Sequence, residues 1–169
     1  LDVIAVELQK FKDAQIPVLW RPLHESEGTW FWWGSKGPEV ASQLYRLLYH
    51  YYVDVKQLDN LLWVWSCQLK EGYPGDDYVD VVSWDIYLPA HTTTDYKEQY
   101  EELTANTSCK KVAALSEVGV IPDIKMLETS RVPWAYYMTW SKEFCLTEEY
   151  NYDSALQKMY NSPYAVTLG

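Results

Sequence analysis

The sequence is poor in positive charge and has no long apolar run. Its 169 residues include 14 Lys and Arg against 24 Asp and Glu, which gives a formal net charge of −10. This balance disfavours a nucleic-acid partner, because binding a phosphate backbone through counterion release needs clustered Lys and Arg. A membrane-spanning helix needs roughly 18 consecutive apolar residues, and no run is that long. We therefore predict no nucleic acid and no membrane as partner, and a neutral ligand suits the charge better.

Cysteine is scarce as well. The three residues Cys67, Cys109 and Cys145 cannot all pair within one chain. No CxxC or Cys/His spacing indicates a metal site, so we expect buried free thiols. The start of the sequence shows no charged segment followed by an apolar one, the pattern of a signal peptide. Asn106-Thr107-Ser108 fits the acceptor pattern for N-glycosylation.

Aromatic residues are abundant. Nine Trp, fifteen Tyr and three Phe make up 16% of the chain. Trp and Tyr usually need a polar partner at one end when they are buried, so one small core does not easily hold so many. A surplus of flat, amphipathic side chains suits a cleft that stacks against flat ligands such as sugar rings. An aromatic-rich core is the other interpretation, and composition alone leaves both open.

Apolar runs alternate with segments of helical spacing along the chain. Helical spacing occurs at 3–11, 39–56, 94–103 and 154–160, and a loop at 26–37 holds Trp30-Phe31-Trp32-Trp33. The strand candidates are 16–25, 61–65, 79–87, 111–117 and 134–140. Continuous apolar strands separated by helices predict a parallel sheet whose outer face is covered by helices.

Two α/β architectures fit this order: an open doubly wound sheet or part of a (β/α)₈ barrel. No glycine-rich phosphate loop follows any strand, which makes a nucleotide-binding sheet less favoured. Polar and aromatic residues instead follow the strands, where barrel enzymes place their chemistry. A complete barrel has eight strands in about 250 residues. We therefore predict a single domain over residues 1–169, a partial barrel of about five parallel strands that lacks the first three.

Two carboxylates stand at predicted strand ends. Glu25 ends the first apolar run and Glu117 ends the fourth. Glycoside hydrolysis needs two carboxyl groups, one to protonate the leaving oxygen and one to act on the anomeric carbon or on water. Position alone is a weak signal, because strand-end glutamates are often helix caps or solvated loop charges.

Longer motifs surround both glutamates. Arg21-Pro22-Leu23-His24-Glu25, followed by Trp30-Phe31-Trp32-Trp33-Gly34, resembles the acid/base region of glycoside hydrolase family 26, best known for endo-β-1,4-mannanases. Further stretches resemble that family in the same order: Leu61-Leu62-Trp63-Val64-Trp65, Tyr73-Pro74-Gly75-Asp76-Asp77-Tyr78-Val79-Asp80, Asp85-Ile86-Tyr87, Ala114-Leu115-Ser116-Glu117-Val118-Gly119 and Tyr137-Met138-Thr139-Trp140. The resemblance covers nearly the whole chain and corresponds to strands four to eight of the family's barrel.

The resemblance implies a retaining, double-displacement hydrolase with Glu25 as general acid/base and Glu117 as nucleophile. It also implies residues that bind the sugar or support the nucleophile: His24 and Trp30 at the cleavage subsite, Tyr87 hydrogen-bonded to the nucleophile, Asp85 in the neighbouring network, and Trp140 under the ring in subsite −1. His50 and His91 have no such motif around them, and Asp76 and Asp77 lie in a turn sequence where we expect a structural role.

The implied substrate is β-mannan or its oligosaccharides, and the implied enzyme is a mannan endo-1,4-β-mannosidase. No metal or organic cofactor is expected, because the mechanism needs only two carboxyl groups and water. We expect a secreted protein, since the polysaccharide is too large to enter a cell. We also expect a monomer, an expectation that does not depend on the substrate. A mixed-linkage β-glucanase or xylanase of the same family, and an inactive carbohydrate-binding fragment, remain as alternatives.

Overall fold

A computed structural model describes residues 1–167 of the chain. Within them it contains five α-helices and five β-strands. The helices are α1 Asp2–Asp13, α2 Pro38–His50, α3 Lys97–Thr104, α4 Ile124–Ser130 and α5 Asp153–Asn161. The strands are β1 Val18–Trp20, β2 Leu61–Ser66, β3 Val81–Ile86, β4 Val112–Val118 and β5 Trp134–Thr139. Across the same residues no helix combines the length and the apolar character needed to cross a bilayer.

The chain divides into two compact units. The first unit consists of Leu1–Ser83 and Ala105–Val112, and the second of Trp84–Thr104 and the chain from Ala113 onward. The boundary lies within β3, so each unit contains part of that strand. The sequence-based prediction of a single domain remains a prediction.

The first unit is built on β1, β2 and the beginning of β3. β1 pairs in parallel with β2, with Val18 opposite Leu61 and Trp20 opposite Trp63. β2 then pairs in parallel with β3 from Val64 to Ser66. Because parallel neighbours need a crossover, α2 connects β1 to β2. Pro38 begins this helix, where its fixed φ suits the first helical position, and the helix continues as a π-helical turn over Tyr51–Val55.

Aromatic side chains form much of the first unit's core. Tyr45, on α2, lies edge-on to Trp63 and Trp65 of β2, with ring centroids 5.4 and 5.0 Å apart. All three residues are at most 2% exposed. Trp30 and Trp32, by contrast, are 65% and 72% exposed. The aromatic-rich core is therefore confirmed for one subset of residues, while ligand stacking by the exposed subset stays a prediction.

The second unit contains the end of β3 together with β4 and β5. β4 pairs in parallel with β5, and every residue of β4 except Val112 is buried. A cluster of Ile86, Tyr96, Leu115 and Val118 packs around the strands. The alternation of parallel strands with helices confirms the predicted α/β class.

The structure differs from the sequence-based prediction at the end of β1 and at α4. β1 ends at Trp20 instead of running to residue 25, because Pro22 lacks an amide donor and Leu23 and Glu25 have φ values of 57° and 53°. The sequence analysis missed α4, which begins where the Asp123 side chain accepts a hydrogen bond from Met126 N.

The thiols also differ from the expectation. All three cysteines are free among the described residues, but only Cys67 is buried, and Cys109 and Cys145 are exposed. Burial is the main reason that the pKa of the Cys67 thiol is raised to about 12.

Candidate active site

Glu25 follows β1 in a loop of unusual backbone geometry. Its φ of 53° lies in the left-handed region, and Leu23, two residues earlier, has a φ of 57°. Such conformations are unfavourable for residues other than glycine and concentrate at functional sites. The Glu25 amide donates a 2.9 Å hydrogen bond to Ser66 O, the last residue of β2. Glu25 is thereby attached to the carboxyl end of the neighbouring strand.

Trp30 supplies a hydrogen-bond donor to Glu25. Its indole Nε1 lies 2.8 Å from Oε2 of the Glu25 carboxyl group. The ring passes so close to Gly28 that a Cβ atom at that position would lie 2.2 Å from Trp30 Cη2. Glycine at position 28 is therefore needed for this placement of the indole, a requirement that the sequence analysis did not identify.

His24 lies in an aromatic cluster of the same loop. Its ring centroid is 4.8 Å from that of Phe31 and 5.8 Å from that of Trp33. Phe31 and Trp33 stack on each other at 4.3 Å, and Trp33 Nε1 donates a 2.8 Å hydrogen bond to the carbonyl oxygen of His24. Trp33 thus packs within the loop, whereas Trp32 is exposed. The first unit therefore brings together His24, Glu25 and Trp30 of the sequence-predicted site.

Glu117 lies near the end of β4 in the second unit and is only 4% exposed. The Tyr87 hydroxyl donates a 2.8 Å hydrogen bond to Oε2 of Glu117. Tyr87 directly follows β3 and is itself 45% exposed. A buried carboxylate needs hydrogen-bond partners, and this one both orients the carboxyl group and stabilises its negative charge.

Asp85 and Trp140 occupy the strand ends on either side of Glu117. Ser116 Oγ donates a 2.5 Å hydrogen bond to Oδ1 of Asp85, so Asp85 is linked to the residue that precedes Glu117. Trp140 follows β5, its amide donates to Val118 O at 3.1 Å, and its side chain is 46% exposed. The second unit therefore brings together Asp85, Tyr87, Glu117 and Trp140 of the predicted site.

Other polar residues that the sequence analysis considered, outside the predicted site, have partners close to them in the structure. His50 Nδ1 lies 2.7 Å from Oδ2 of Asp54, and the His91 ring stacks on Tyr152 at 4.0 Å. Hydrogen bonds from Ser108 and Tyr73 lower the pKa of Asp76 to about 2. Asn106 is the residue that would carry the glycan in the Asn106-Thr107-Ser108 pattern. Its side-chain Nδ2 donates a 2.6 Å hydrogen bond to Gln68 O.

Known proteins resemble this chain along its whole length. A mannan endo-1,4-beta-mannosidase of Thermothelomyces thermophilus is 43% identical over 168 residues, which is 99% of this chain and 34% of that protein. The crystal structure of a Podospora anserina GH26-CBM35 beta-(1,4)-mannanase superposes with a TM-score of 0.90 at 42% identity, covering 98% of this chain and 37% of that one. A beta-mannanase from a symbiotic protist of the termite Reticulitermes speratus, complexed with gluco-manno-oligosaccharide, gives a TM-score of 0.88 at 33% identity, with coverages of 98% and 52%.

These similarities confirm the predicted fold class, five parallel strands with helices of the (β/α)₈ barrel type. The chain spans 34% and 26% of the length of the first two curated relatives that it matches. The sequence profile of glycosyl hydrolase family 26 matches residues 1–169. With that match from end to end, and with the strand-end glutamates described above, the chain belongs to glycosyl hydrolase family 26.

Proposed function

We propose that this chain carries the two catalytic carboxyl groups of a retaining endo-β-1,4-mannanase. The observation that carries the proposal is that two strand-end glutamates each accept a hydrogen bond from an aromatic side chain. Trp30 donates to Glu25, and Tyr87 donates to Glu117. Family membership supports the same assignment, since the relatives named above are mannanases.

In this proposal Glu117 is the nucleophile. Its carboxylate attacks the anomeric carbon while the carboxylic acid of Glu25 protonates the departing glycosidic oxygen, which yields a covalent glycosyl ester and a shortened chain. Glu25, now a carboxylate, removes a proton from water as the water oxygen attacks the anomeric carbon. The ester bond to Glu117 breaks as the bond to the water oxygen forms, which releases the Glu117 carboxylate and retains the anomeric configuration.

The surrounding side chains would bind and orient the sugar. The half-exposed Trp140 offers an indole platform, and the exposed Trp30 places a second ring beside Glu25. His24 is held by its aromatic neighbours at the adjacent position. Asp85 supports the nucleophile's strand through Ser116. A mannan-type substrate is supported by the related mannanase that was crystallised with gluco-manno-oligosaccharide.

The proposed location follows from the proposed substrate. A polymeric mannan does not enter cells, so we propose that the protein acts outside the cell. We also propose that it acts as a monomer, and that it needs no metal or organic cofactor because two carboxyl groups and water suffice for the reaction.

The test is product analysis by mass spectrometry after the 169-residue chain is incubated with mannohexaose in ¹⁸O-labelled water. We expect shorter mannooligosaccharides with ¹⁸O at the new reducing end. Glu117→Gln and Glu25→Gln should each lower turnover by about a thousandfold or more, as is usual when one member of a catalytic unit is removed. Glu149→Gln, an exposed carboxylate of the second unit, is the matched control and should retain full activity.

Other outcomes assign a different function. Equal turnover of barley β-glucan would favour the mixed-linkage glucanase alternative, because glucose and mannose differ in the orientation of the 2-hydroxyl group. Binding of mannohexaose without any labelled product would favour a carbohydrate-binding chain, which the exposed Trp30, Trp32 and Trp140 would also suit. Full activity in Glu117→Gln would overturn the proposed mechanism.

A further inference from the structure

Asn151 is a buried polar residue of the second unit that belongs to no motif and to no helix or strand. It lies just before α5 and is 3% exposed. Its amide group makes three hydrogen bonds. Oδ1 accepts from Ile121 N at 2.8 Å, and Nδ2 donates to Gly119 O at 2.8 Å and to Phe144 O at 2.9 Å.

These bonds connect two segments that are distant in sequence. Gly119 and Ile121 follow β4, two and four positions after Glu117, and Phe144 ends the 3₁₀ turn Lys142–Phe144 after β5. A buried backbone group that loses its hydrogen-bond partner is strongly unfavourable, so both segments are held at a fixed distance from the Asn151 amide. Trp140 lies in the segment between β5 and this 3₁₀ turn, and its amide donates a 3.1 Å hydrogen bond to Val118 O.

The Phe144 side chain packs against both Gly119 and Tyr87. Its ring covers Gly119 so closely that a Cβ atom there would lie 3.0 Å from Phe144 Cε1 and 3.3 Å from Tyr87 Cδ1. The Phe144 and Tyr87 centroids are 5.4 Å apart at 64°, an edge-to-face contact, and Tyr150 packs against Phe144 at 4.3 Å. One side of the Tyr87 ring is therefore defined by Phe144.

Tyr87 is in turn the hydrogen-bond donor to Glu117 Oε2. We propose that Asn151 is a positioning residue for the nucleophile: by fixing Gly119 and Phe144, it holds the Tyr87 ring where its hydroxyl reaches the Glu117 carboxylate. This inference rests on the proposed function, because it assigns Asn151 to the same site. The three hydrogen bonds of Asn151 go to the backbone of Ile121, Gly119 and Phe144, so its proposed effect on the carboxylate is indirect.

The test combines kinetics with a spectroscopic readout that does not need turnover. In Asn151→Ala we expect kcat on mannohexaose to fall by about tenfold to a hundredfold with little change in KM, because a misplacement of about 1 Å is enough to cost about a hundredfold in rate. The ¹³C resonance of the Glu117 carboxyl carbon should move by at least half of the shift that Tyr87→Phe produces. Asn161→Ala, which removes an exposed amide that donates to Gln157 O, is the control and should change neither readout.

A second variant covers the case in which Asn151→Ala does not fold. Phe144→Leu keeps the backbone carbonyl that Asn151 binds but removes the ring contact with Tyr87, so it should reproduce both the loss of kcat and the carboxyl shift. An unchanged Glu117 resonance in a folded Asn151→Ala or Phe144→Leu variant would overturn the inference. If the wild-type chain shows no turnover, the proposed function of this chain fails, and the Glu117 resonance alone decides whether Asn151 has the positioning role.

Discussion

The Trp30 indole nitrogen lies 2.8 Å from Oε2 of Glu25 and donates a hydrogen bond to it. The donor comes from an exposed ring five positions along the chain, within the same loop. A donor of this kind restricts the rotamers of the glutamate side chain. The hydrogen bond thereby connects the Trp30 side chain to the carboxyl group of Glu25, the proposed general acid/base.

Trp30→Phe keeps an aromatic ring but removes the donor to Glu25. We expect kcat on mannohexaose to fall by about tenfold, the effect of losing one hydrogen bond to a charged group. The loss should be smaller on a dinitrophenyl mannobioside, whose leaving group needs no proton. Trp32→Phe in the same loop is the control. Equal losses on both substrates would contradict a role for Trp30 in proton transfer.

Gly28→Ala should act through Trp30. The added methyl group would overlap the indole ring, whose nearest atom is 2.2 Å from the ideal Cβ position, so the ring must move away from Glu25. We expect Gly28→Ala and Trp30→Phe to lower kcat by similar factors, and their effects should not add in the double variant. Additive effects would show that Gly28 acts independently of Trp30.

Tyr87→Phe removes the donor to Glu117 while the ring contact with Phe144 remains. We expect the rate of covalent labelling of Glu117 by a 2-deoxy-2-fluoromannosyl fluoride to fall by about tenfold to a hundredfold, because the carboxylate loses both orientation and stabilisation. Peptide mass spectrometry measures the labelled fraction over time. Tyr152→Phe, an exposed tyrosine of the same unit, should label at the wild-type rate. An unaltered rate in Tyr87→Phe would remove Tyr87 from the proposed site.

Asp76 gives a prediction for pH-dependent stability. Hydrogen bonds from Ser108 and Tyr73 lower its folded-state pKa from 3.8 to about 2. A depressed pKa means that the stabilisation is fully present above about pH 4, the unfolded value, and is lost as the pH falls towards 2. Asp76→Asn should therefore reduce the free energy of unfolding at pH 7 by about 1 kcal/mol after solvent screening, and by much less near pH 2. Urea unfolding at both pH values measures this, with Asp77→Asn as the control from the same turn.

Several elements follow from local sequence alone. The helical spacing at 3–11 and 39–56 corresponds to α1 and to α2 with its π-helical continuation, and the last four apolar runs correspond to β2 through β5. These segments are predictable because the spacing of apolar residues along one segment indicates which of its faces is buried, and hence whether it forms a helix or a strand. The same patterns predicted the location of Glu117 near the end of β4, whereas Glu25 lies in the loop five positions after β1. The motifs around both glutamates indicated glycosyl hydrolase family 26.

The sequence by itself thus determined the α/β class, the succession of helices and strands along most of the chain, and the family, because these depend on local patterns and motifs. Only the tertiary structure decided where β1 ends, that α4 forms, and which aromatic residues are core and which are exposed. It also decided the partners of individual side chains. Tyr87 reaches Glu117 across 30 positions, and Asn151 reaches Gly119 across 32. Such pairs arise when separate segments pack together, and periodicity within one segment carries no information about which partner the other segment supplies.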